Sequence, residues 1–480
     1  MKKLFYFLCA IASLFTIHSC TNEISEDFIS QKRVKLTQDE VFSISYNETK
    51  DLEDKTLFDM VNAFANLQNG TTTRSNAISF KIVKESFINK EGEFKEQEQA
   101  TRAINNDDIT SKICEIEFSN GSSIGRAIVS ANANFPAIIA FIPECSSEKM
   151  MEKTGANALL HASKASYLYN TIKIKETVDS LRLPTLEKIS KELEVPINEI
   201  SYEKVKDDII ITDVEPITRS TAVQIGDIEM QIIESSIFPL VKTNWGQEGP
   251  YNGYFCEGNY FDWVRTENGG KNYTAVPAGC VNIAMAQMMT YTHSRRIPNI
   301  SFPNPNGHGV FYPHWDLMAQ TPQIFDKGAS DTGRGDAMAL ILELYRQNKT
   351  TSKKDWDGAV IASEVTEENM LKTMNKYFNY KPKASFNGDM AWAALRAKRL
   401  IMMLTSDHAF IISGMLITEK SIATRQLVKS NDVYWHANLG WADKCTGYYQ
   451  LDSNANTYFK AKSVQQWCYQ MDYLNNISVK

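Results

Sequence analysis

Cys280 stands at the start of a long run of helix-forming residues, "VPAGCVNIAMAQMMTYTHS" (residues 276–294). A cysteine at a helix N-terminus is favoured as a thiolate by the positive end of the helix dipole, and a thiolate is a strong nucleophile. Free cysteines are also among the most buried residue types. From this segment alone, a core cysteine is therefore the stronger interpretation, and a nucleophile is the alternative.

A thiolate nucleophile needs a histidine that shares its proton and a third group that orients the histidine. His408 begins the alternating apolar run "HAFIISGM", which is typical of a buried strand, and follows Cys280 by 128 residues. Asn438 follows Cys280 by 158 residues. Cysteine followed by histidine and asparagine roughly 130–150 residues downstream is the order of papain-like peptidases. His436 is an alternative base, and Asn438 would then be an ordinary turn residue.

Acyl transfer also needs hydrogen-bond donors for the oxyanion that develops on the substrate. The backbone N–H of Cys280 is one candidate because it lies at a helix start. The side-chain amide of Gln247, in "NWGQEGPYN", is a second candidate, although by residue type alone it would be a surface glutamine. Gly279 permits a tight backbone entry and the close approach of another group.

The rest of the chain divides into two units, of which the first is a small α+β unit. In "KICEIEFSNGSS", Cys114, Ile116 and Phe118 alternate with glutamates, which predicts a half-buried strand before a turn. Two further strand-like runs follow at Ala127–Val129 and Ala137–Ile142. Roughly residues 45–220 form the first unit.

A helix is predicted where Leu186, Ile189 and Leu193 share one face before Pro196 stops it. From about residue 240 onward the composition shifts to aromatic residues, glycine and asparagine. We therefore place the domain boundary near 220–240.

Length and composition exclude several classes of function. A chain of 480 residues suggests two to four domains, since domains average about 100–200 residues. The net charge of −6 argues against a nucleic-acid partner, because phosphate binding needs clustered Lys and Arg. No C-x-x-C pair occurs, which disfavours a structural zinc site. Beyond the N-terminus, no window approaches about 18 consecutive apolar residues, so no membrane span is predicted.

The N-terminus "MKKLFYFLCAIASLFTIHSC" has two lysines, a short apolar run and then small or polar residues, which predicts a secretory signal. The segment Ile17–Cys20 resembles a bacterial lipobox, which would make Cys20 the lipidated first residue of the mature chain. The expected location is the cell envelope, with a lipid anchor in the outer membrane and exposure at the surface, or the exterior after processing. Six cysteines remain in the exported body, too few for a disulfide scaffold.

Four segments of the second half resemble the streptopain (pyrogenic exotoxin B) and interpain family of bacterial cysteine peptidases. These segments are "TNWGQEGPYN", "AGCVNIAMAQMMTY", "HAFIISG" and "WHANLGWADKCTGYYQLD". In the first half, "CEIEFSNGSSIGRAIVSANANFPAIIAFIPE" is similar to the family's inhibitory propeptide. The resemblance runs from about residue 110 to the end and implies an α+β fold with a papain-like peptidase domain after a smaller α+β propeptide domain.

The resemblance assigns a role to each candidate residue. It implies that Cys280 is the nucleophile, that His408 is the general base and acid, and that Asn438 orients the imidazole. Gln247 becomes the oxyanion donor, and Trp441 shields the histidine and asparagine from water. No metal or organic cofactor is implied; the expected partners are protein or peptide substrates and the protein's own propeptide.

The resemblance also implies the domain boundaries: a signal peptide at 1–19, a tether and first part of the propeptide at 20–110, the inhibitory propeptide at 111–225, and the catalytic domain at 226–480.

Some residues depart from the family pattern. Leu439 replaces a tryptophan of the family's N-W-G-W motif, and Ser406 and Asp407 precede His408 where glycine is usual. The segment 452–470 has no glycine, whereas the family carries a glycine-rich loop there. The predicted function is an exported cysteine endopeptidase made as a zymogen. The alternatives are a weakened or inactive member that acts as a surface binding module, and an inhibitor of a neighbouring peptidase.

Overall fold

The structure is a computed structural model, and its described residues are 32–46, 51–68, 79–89, 94–96, 109–120, 123–213, 223–226, 228–256, 261–265, 271–296, 299–323, 330–354, 356, 360–422, 430–451 and 471–480. The predicted signal peptide, the lipidation residue Cys20 and the segment 452–470 lie outside them. Within these ranges no helix combines the length and the apolarity that crossing a bilayer would require.

The described part of the chain combines helices and strands, which confirms the predicted α+β class. The helices are α1 Gln38–Ser45, α2 Asp54–Gln68, α3 Glu148–Thr154, α4 Ala156–Leu193, α5 Tyr202–Val205, α6 Cys280–Ser294, α7 Trp315–Ala319, α8 Asp331–Gln347, α9 Glu367–Tyr377 and α10 Gly388–Arg396. Short 3-10 turns lie at Ile197–Glu199, Lys206–Asp208 and Gly253–Cys256.

The strands are β1 Val34–Leu36, β2 Ser79–Asn89, β3 Phe94–Glu96, β4 Ile109–Asn120, β5 Ser123–Ser130, β6 Ala137–Ile142, β7 Ile209–Ile211, β8 Val223–Ile225, β9 Ile228–Ile232, β10 Phe261–Arg265, β11 Lys271–Ala275, β12 Phe302–Pro303, β13 Val310–Phe311, β14 Thr351–Lys354, β15 Val360–Glu364, β16 Phe378–Ser385, β17 Leu400–Leu404, β18 Ala409–Ile422, β19 Ser430–Asn438, β20 Gly447–Gln450 and β21 Asp472–Val479.

One large sheet passes through both halves of the chain. Its strand order is β16-β21-β17-β18-β19-β20-β6-β5-β4-β2-β3, and β9 joins it by pairing with β18 and β8. The halves meet where β20 pairs antiparallel with β6, with Tyr448 opposite Phe141 and Tyr449 opposite Ala140. The N-terminal half (residues 32–213) therefore extends the sheet of the C-terminal half (residues 223–480).

The central strands bury both of their faces because successive side chains point to opposite sides of the sheet. On β17, Ile401 and Met403 belong to a core that includes residues of α4 and α10. The alternate residues Leu400 and Met402 belong to a second core, built around α6. The alternating pattern after His408 likewise places β18 between these two cores, which confirms the predicted buried strand.

The sequence predictions for the N-terminal half hold for its strands and fall short for its helix. The strand at Ala137–Ile142 is confirmed residue for residue, and β4 and β5 contain the other two predicted runs. Helix α4 ends at Leu193 as predicted but begins at Ala156 and continues through Pro184. Packing compensates for the hydrogen bond that the proline removes, because buried residues lie on both sides of it along α4.

Candidate active site

Cys280 is the first residue of α6, and the backbone before it has a conformation that favours glycine. Gly279 has φ +87°, and a Cβ there would lie 3.2 Å from Asn282 Nδ2 and 3.3 Å from Ser363 Cβ. Most of α6 behind Cys280 is buried, which fixes the helix in the core. Cys280 itself is partly exposed, so the sequence places a thiol at the exposed end of a rigid helix.

His408 lies in a tight turn between β17 and β18. Its backbone N–H donates to Thr405 Oγ1 at 3.0 Å, and the Thr405 N–H donates to its carbonyl at 2.8 Å. This turn places the imidazole close enough to the Cys280 thiol for the two groups to shift each other's pKa. The structure thus joins two predicted residues that are 128 positions apart in the chain.

The environment of Cys280 and His408 favours a charged pair over two neutral groups. Burial acts to raise the pKa of the Cys280 thiol, but the charge and hydrogen bond of His408 outweigh it and lower the pKa below its usual value. The backbone N–H groups of Ala409 and Val281 assist in lowering it. Burial acts to lower the pKa of His408, and Cys280 reverses this effect, so the pKa is raised. The pair is therefore disposed to exist as thiolate and imidazolium.

A backbone carbonyl orients the imidazole. His408 Nε2 lies 3.0 Å from the carbonyl oxygen of Leu439, which only accepts hydrogen bonds, so Nε2 carries a proton. The other ring nitrogen, Nδ1, is then left for the Cys280 thiol. This carbonyl also raises the pKa of His408 because it stabilises the protonated ring.

The hydrogen bonds of Asn438 go to residues other than His408, so its orienting role stays a prediction. Its Nδ2 donates to the Thr243 carbonyl at 2.8 Å and to Asn244 Oδ1 at 3.1 Å, and its Oδ1 accepts from the Gly440 N–H at 3.2 Å. Each bond ties the end of β19 to neighbouring backbone or to the segment before Trp245. Asn438 instead holds the loop whose backbone carbonyl, that of Leu439, contacts His408.

The two sequence departures next to the histidine have small structural effects. Leu439 presents its carbonyl whatever its side chain is, and the side chain itself is fully buried. The carboxylate of Asp407 contributes to the raised pKa of His408 and accepts a hydrogen bond from Thr405 Oγ1 at 3.1 Å. Neither residue removes a contact between His408 and its two partners.

Gln247 lies beside the start of α6. Its carbonyl accepts a hydrogen bond from the Ala278 N–H at 2.8 Å, and the residue is 5% exposed. Two residues earlier, the Trp245 N–H donates to Gln287 Oε1 on α6 at 3.1 Å. The segment is thus fixed at two points, to the backbone just before α6 and to α6 itself, which places Gln247 near the start of the helix. That its side-chain amide donates to an oxyanion stays a prediction.

The N-terminal half covers this site from outside. Gly155, between α3 and α4, has φ +74°, and a Cβ there would lie 3.0 Å from His408 Cδ2 and 3.1 Å from its Cγ. Lys153 forms an ion pair with Glu248, and its ammonium lies 5.2 Å from the centroid of the Trp441 ring. Trp441 therefore contacts Lys153 of α3 and packs against the core that includes residues of α4.

His436, the alternative base, lies in a different environment. Its Nδ1 is 3.0 Å from Ser413 Oγ, and its ring contacts Tyr448 with centroids 5.0 Å apart. Burial, assisted by the charge of Lys242, lowers its pKa to about 3. None of these described contacts involves Cys280, and a pKa this low makes the imidazole a poor proton acceptor near neutral pH.

Sequence reasoning missed the Leu439 carbonyl, Gly155 and Gln287. Every residue has a carbonyl, so no residue type could have signalled the first. Gly155 and Gln287 depend on contacts between distant segments. Among the described residues, no group of three or more histidine, cysteine, aspartate or glutamate side chains is placed to hold a metal ion.

Comparison with known proteins finds one family model that matches part of the C-terminal half. Residues 245–449 match the model of the Peptidase C10 family. The match contains Gln247, Cys280, His408 and Asn438, and it confirms the resemblance to streptopain-type peptidases over this segment. The matched segment thus carries both the Cys280 thiol and the His408 imidazole.

The chain is also similar to a solved structure of a fragment of prointerpain A from Prevotella intermedia. The two chains are 14% identical with a TM-score of 0.41, and the similarity covers 77% of this chain and 96% of the other. No match was found among curated proteins.

Proposed function

We propose that the protein is a cysteine endopeptidase that is made as a zymogen. The contact between Cys280 and His408, with the imidazole held by the Leu439 carbonyl, carries this proposal. The family match over residues 245–449 supports the same class of reaction. The substrates are proteins or peptides.

In the proposed reaction, the Cys280 thiolate attacks the carbonyl carbon of a peptide bond. The negative charge that develops on the carbonyl oxygen is stabilised by the Cys280 N–H and the Gln247 amide. The His408 imidazolium gives its proton to the leaving amine, which leaves a thioester on Cys280. Neutral His408 then removes a proton from water, and the attack of this water releases the acid and restores the thiol pair.

The N-terminal half acts as the inhibitory propeptide in this proposal. Gly155 lies against the imidazole, and Lys153 contacts Glu248 and Trp441, so the segment 153–155 occupies the approach to His408. We place the maturation cleavage within 214–222. Residues from Ile228 onward pair with β18, and a cut there would remove a strand from the catalytic domain.

The export of the protein is part of the proposal and rests on its N-terminal sequence. Signal cleavage before Cys20 and lipidation of its thiol would anchor the zymogen in the outer membrane, exposed at the cell surface, and maturation would release the enzyme from the anchor. Incorporation of labelled palmitate tests this anchor. Label is expected in the wild-type chain and lost in Cys20→Ser, and equal labelling of both chains would contradict the anchor.

A thiol-reactive epoxide tests the enzymatic function directly. Processed wild-type protein, freed of its propeptide under reducing conditions, is expected to incorporate the probe, and Cys280→Ala is not. The matched control is Cys114→Ala, because Cys114 is buried in β4 and burial raises its pKa to about 12. Wild-type protein that stays unlabelled would contradict the proposal and favour a surface binding module.

The origin of the maturation cleavage is tested with the same variant. If the enzyme processes itself, Cys280→Ala accumulates at full, signal-processed length, as seen by intact-protein mass. Normal processing of this variant would show that another peptidase matures the chain.

A further inference from the structure

Each half of the molecule contributes one cysteine to a buried contact away from the active site. Cys145 follows β6 in the N-terminal half, and Cys445 precedes β20 in the C-terminal half. Their sulfur atoms lie 3.1 Å apart, although 300 residues separate them in sequence. Both residues are fully buried.

The backbone on both sides of this contact is fixed. The Cys445 N–H donates to the Glu144 carbonyl at 2.7 Å, and the Cys145 N–H donates to the Ile124 carbonyl at 2.7 Å. The pairing of β6 with β20 begins a few residues away. The two cysteines therefore face each other because adjacent strands hold them there.

A disulfide requires a sulfur–sulfur distance of about 2.05 Å, roughly 1 Å shorter than the observed separation. Rotation of the two side chains is enough to cover a gap of this size when the backbones are already in register. Exported proteins meet oxidising conditions in which such thiol pairs become disulfides.

We propose that Cys145 and Cys445 are a disulfide site that links the propeptide covalently to the catalytic domain. The two thiols lose two protons and two electrons, and one sulfur–sulfur bond forms between them. A small-molecule or protein disulfide accepts the electrons and protons and becomes two thiols. The inference rests on the proposed function in treating the N-terminal half as a propeptide of an exported chain.

The link changes what cleavage achieves. Cutting the chain within 214–222 separates the halves in sequence, but the disulfide keeps the segment 153–155 at a high effective concentration over His408. Release then requires a reductant as well as a peptidase. The Cys280 thiol takes no part in the link, so one reductant both opens the tether and keeps the nucleophile reduced.

The test uses the full chain with Cys280→Ala, which removes self-cleavage, and with the recognition sequence of an added specific protease inserted after Arg219. The protein is incubated with glutathione disulfide and cut, and it is then separated on a denaturing gel with and without reductant. One species without reductant and two with reductant are expected. Peptide mapping by mass spectrometry is expected to recover a cross-link between Cys145 and Cys445.

Matched variants identify the cysteines. Cys145→Ala and Cys445→Ala in the same background are expected to give two species without reductant, and Cys114→Ala is expected to give one because it removes an equally buried thiol elsewhere. Two species from the parent chain, or a cross-link between other cysteines, would overturn the inference. The parent chain gives this result even if a variant fails to fold.

The readout needs no peptidase activity, so the two proposals fail separately. If the chain forms the cross-link but its reduced, processed wild-type form does not react with the epoxide, the disulfide site is supported and the enzymatic function is contradicted. If the epoxide labels the enzyme but no cross-link forms, the enzymatic function is supported and the disulfide site is contradicted.

Discussion

His408 and His436 lie on or beside neighbouring strands of one sheet and are both partly buried, yet their pKa values are shifted in opposite directions. Burial acts to lower both pKa values, and for His436 it prevails, with a pKa of about 3. At His408 the thiolate of Cys280, assisted by the Leu439 carbonyl, outweighs burial and raises the pKa. A buried histidine thus becomes an effective acid and base only where an anion and an acceptor face its two nitrogens.

The largest expected effect comes from removing one histidine at a time. We expect His408→Ala to lower kcat/KM for casein hydrolysis by about 1000-fold, since general acid–base catalysis contributes about 10²–10⁴. His436→Asn keeps an acceptor near Ser413 Oγ and is expected to stay within about threefold of wild type, as expected for a residue outside the reaction. Equal losses in the two processed variants would remove the distinction between the histidines.

The variant Asn438→Ala tests whether Asn438 orients the His408 ring directly or holds the loop that contains Leu439. Its buried partners lose hydrogen bonds, so the free energy of unfolding should fall by about 2 kcal/mol. We expect kcat/KM to fall only about tenfold, because the Leu439 carbonyl remains. Urea unfolding and casein hydrolysis measure the two effects. Leu439→Met is the control and should keep its activity. A loss as large as that of His408→Ala would show that Asn438 orients the imidazole directly.

Gly155→Ala tests the cover over His408. An alanine at a left-handed φ costs about 1 kcal/mol wherever it stands, but at Gly155 the added Cβ also meets the imidazole. We expect the uncut zymogen to react with the epoxide about five times faster, because weakening propeptide docking by about 1 kcal/mol raises the fraction of open sites by about that factor. Gly307→Ala is the matched control, because it has φ +80° and open space around it. The same acceleration in both variants would mean that general destabilisation is responsible.

The smallest expected effect concerns pH. The pKa of Cys280 is lowered and that of His408 is raised. A plot of kcat/KM against pH should therefore show a plateau between the two pKa values, with its acid limb below the usual thiol pKa of about 8.5. Asp407→Asn removes a charge that raises the pKa of His408, so the alkaline limb should move to lower pH. Ser406→Ala keeps that charge and should leave the limb in place. An unchanged limb in Asp407→Asn would show that this carboxylate does not act on the ring.

The sequence allowed correct predictions where one segment contains its own signal. The apolar run at Ala137–Ile142 is a buried strand, and the glycine and cysteine before an apolar run mark the start of α6. The order of Cys280 and His408 made them a candidate pair, and the resemblance to a peptidase family was needed to predict that they act together.

Contacts between distant segments were beyond such reasoning. The apolar run at Ala137–Ile142 predicts β6 but does not show that β6 pairs with β20. Pro184 indicates a helix end by local rules, whereas tertiary packing carries α4 through it. The role of Leu439 depends on its carbonyl, which the residue type does not reveal.

Strand β20 is an inner strand of the sheet only while the N-terminal half is present, because its neighbours there are β19 and β6. Once β6 leaves, the outer backbone N–H and C=O groups at Tyr448 and Tyr449 lose their partners and become an open edge. Open edges accept other extended chains, including copies of the same protein. Maturation would therefore expose an unpaired strand edge together with the active site. The propeptide would then keep the protein soluble as well as inhibit it.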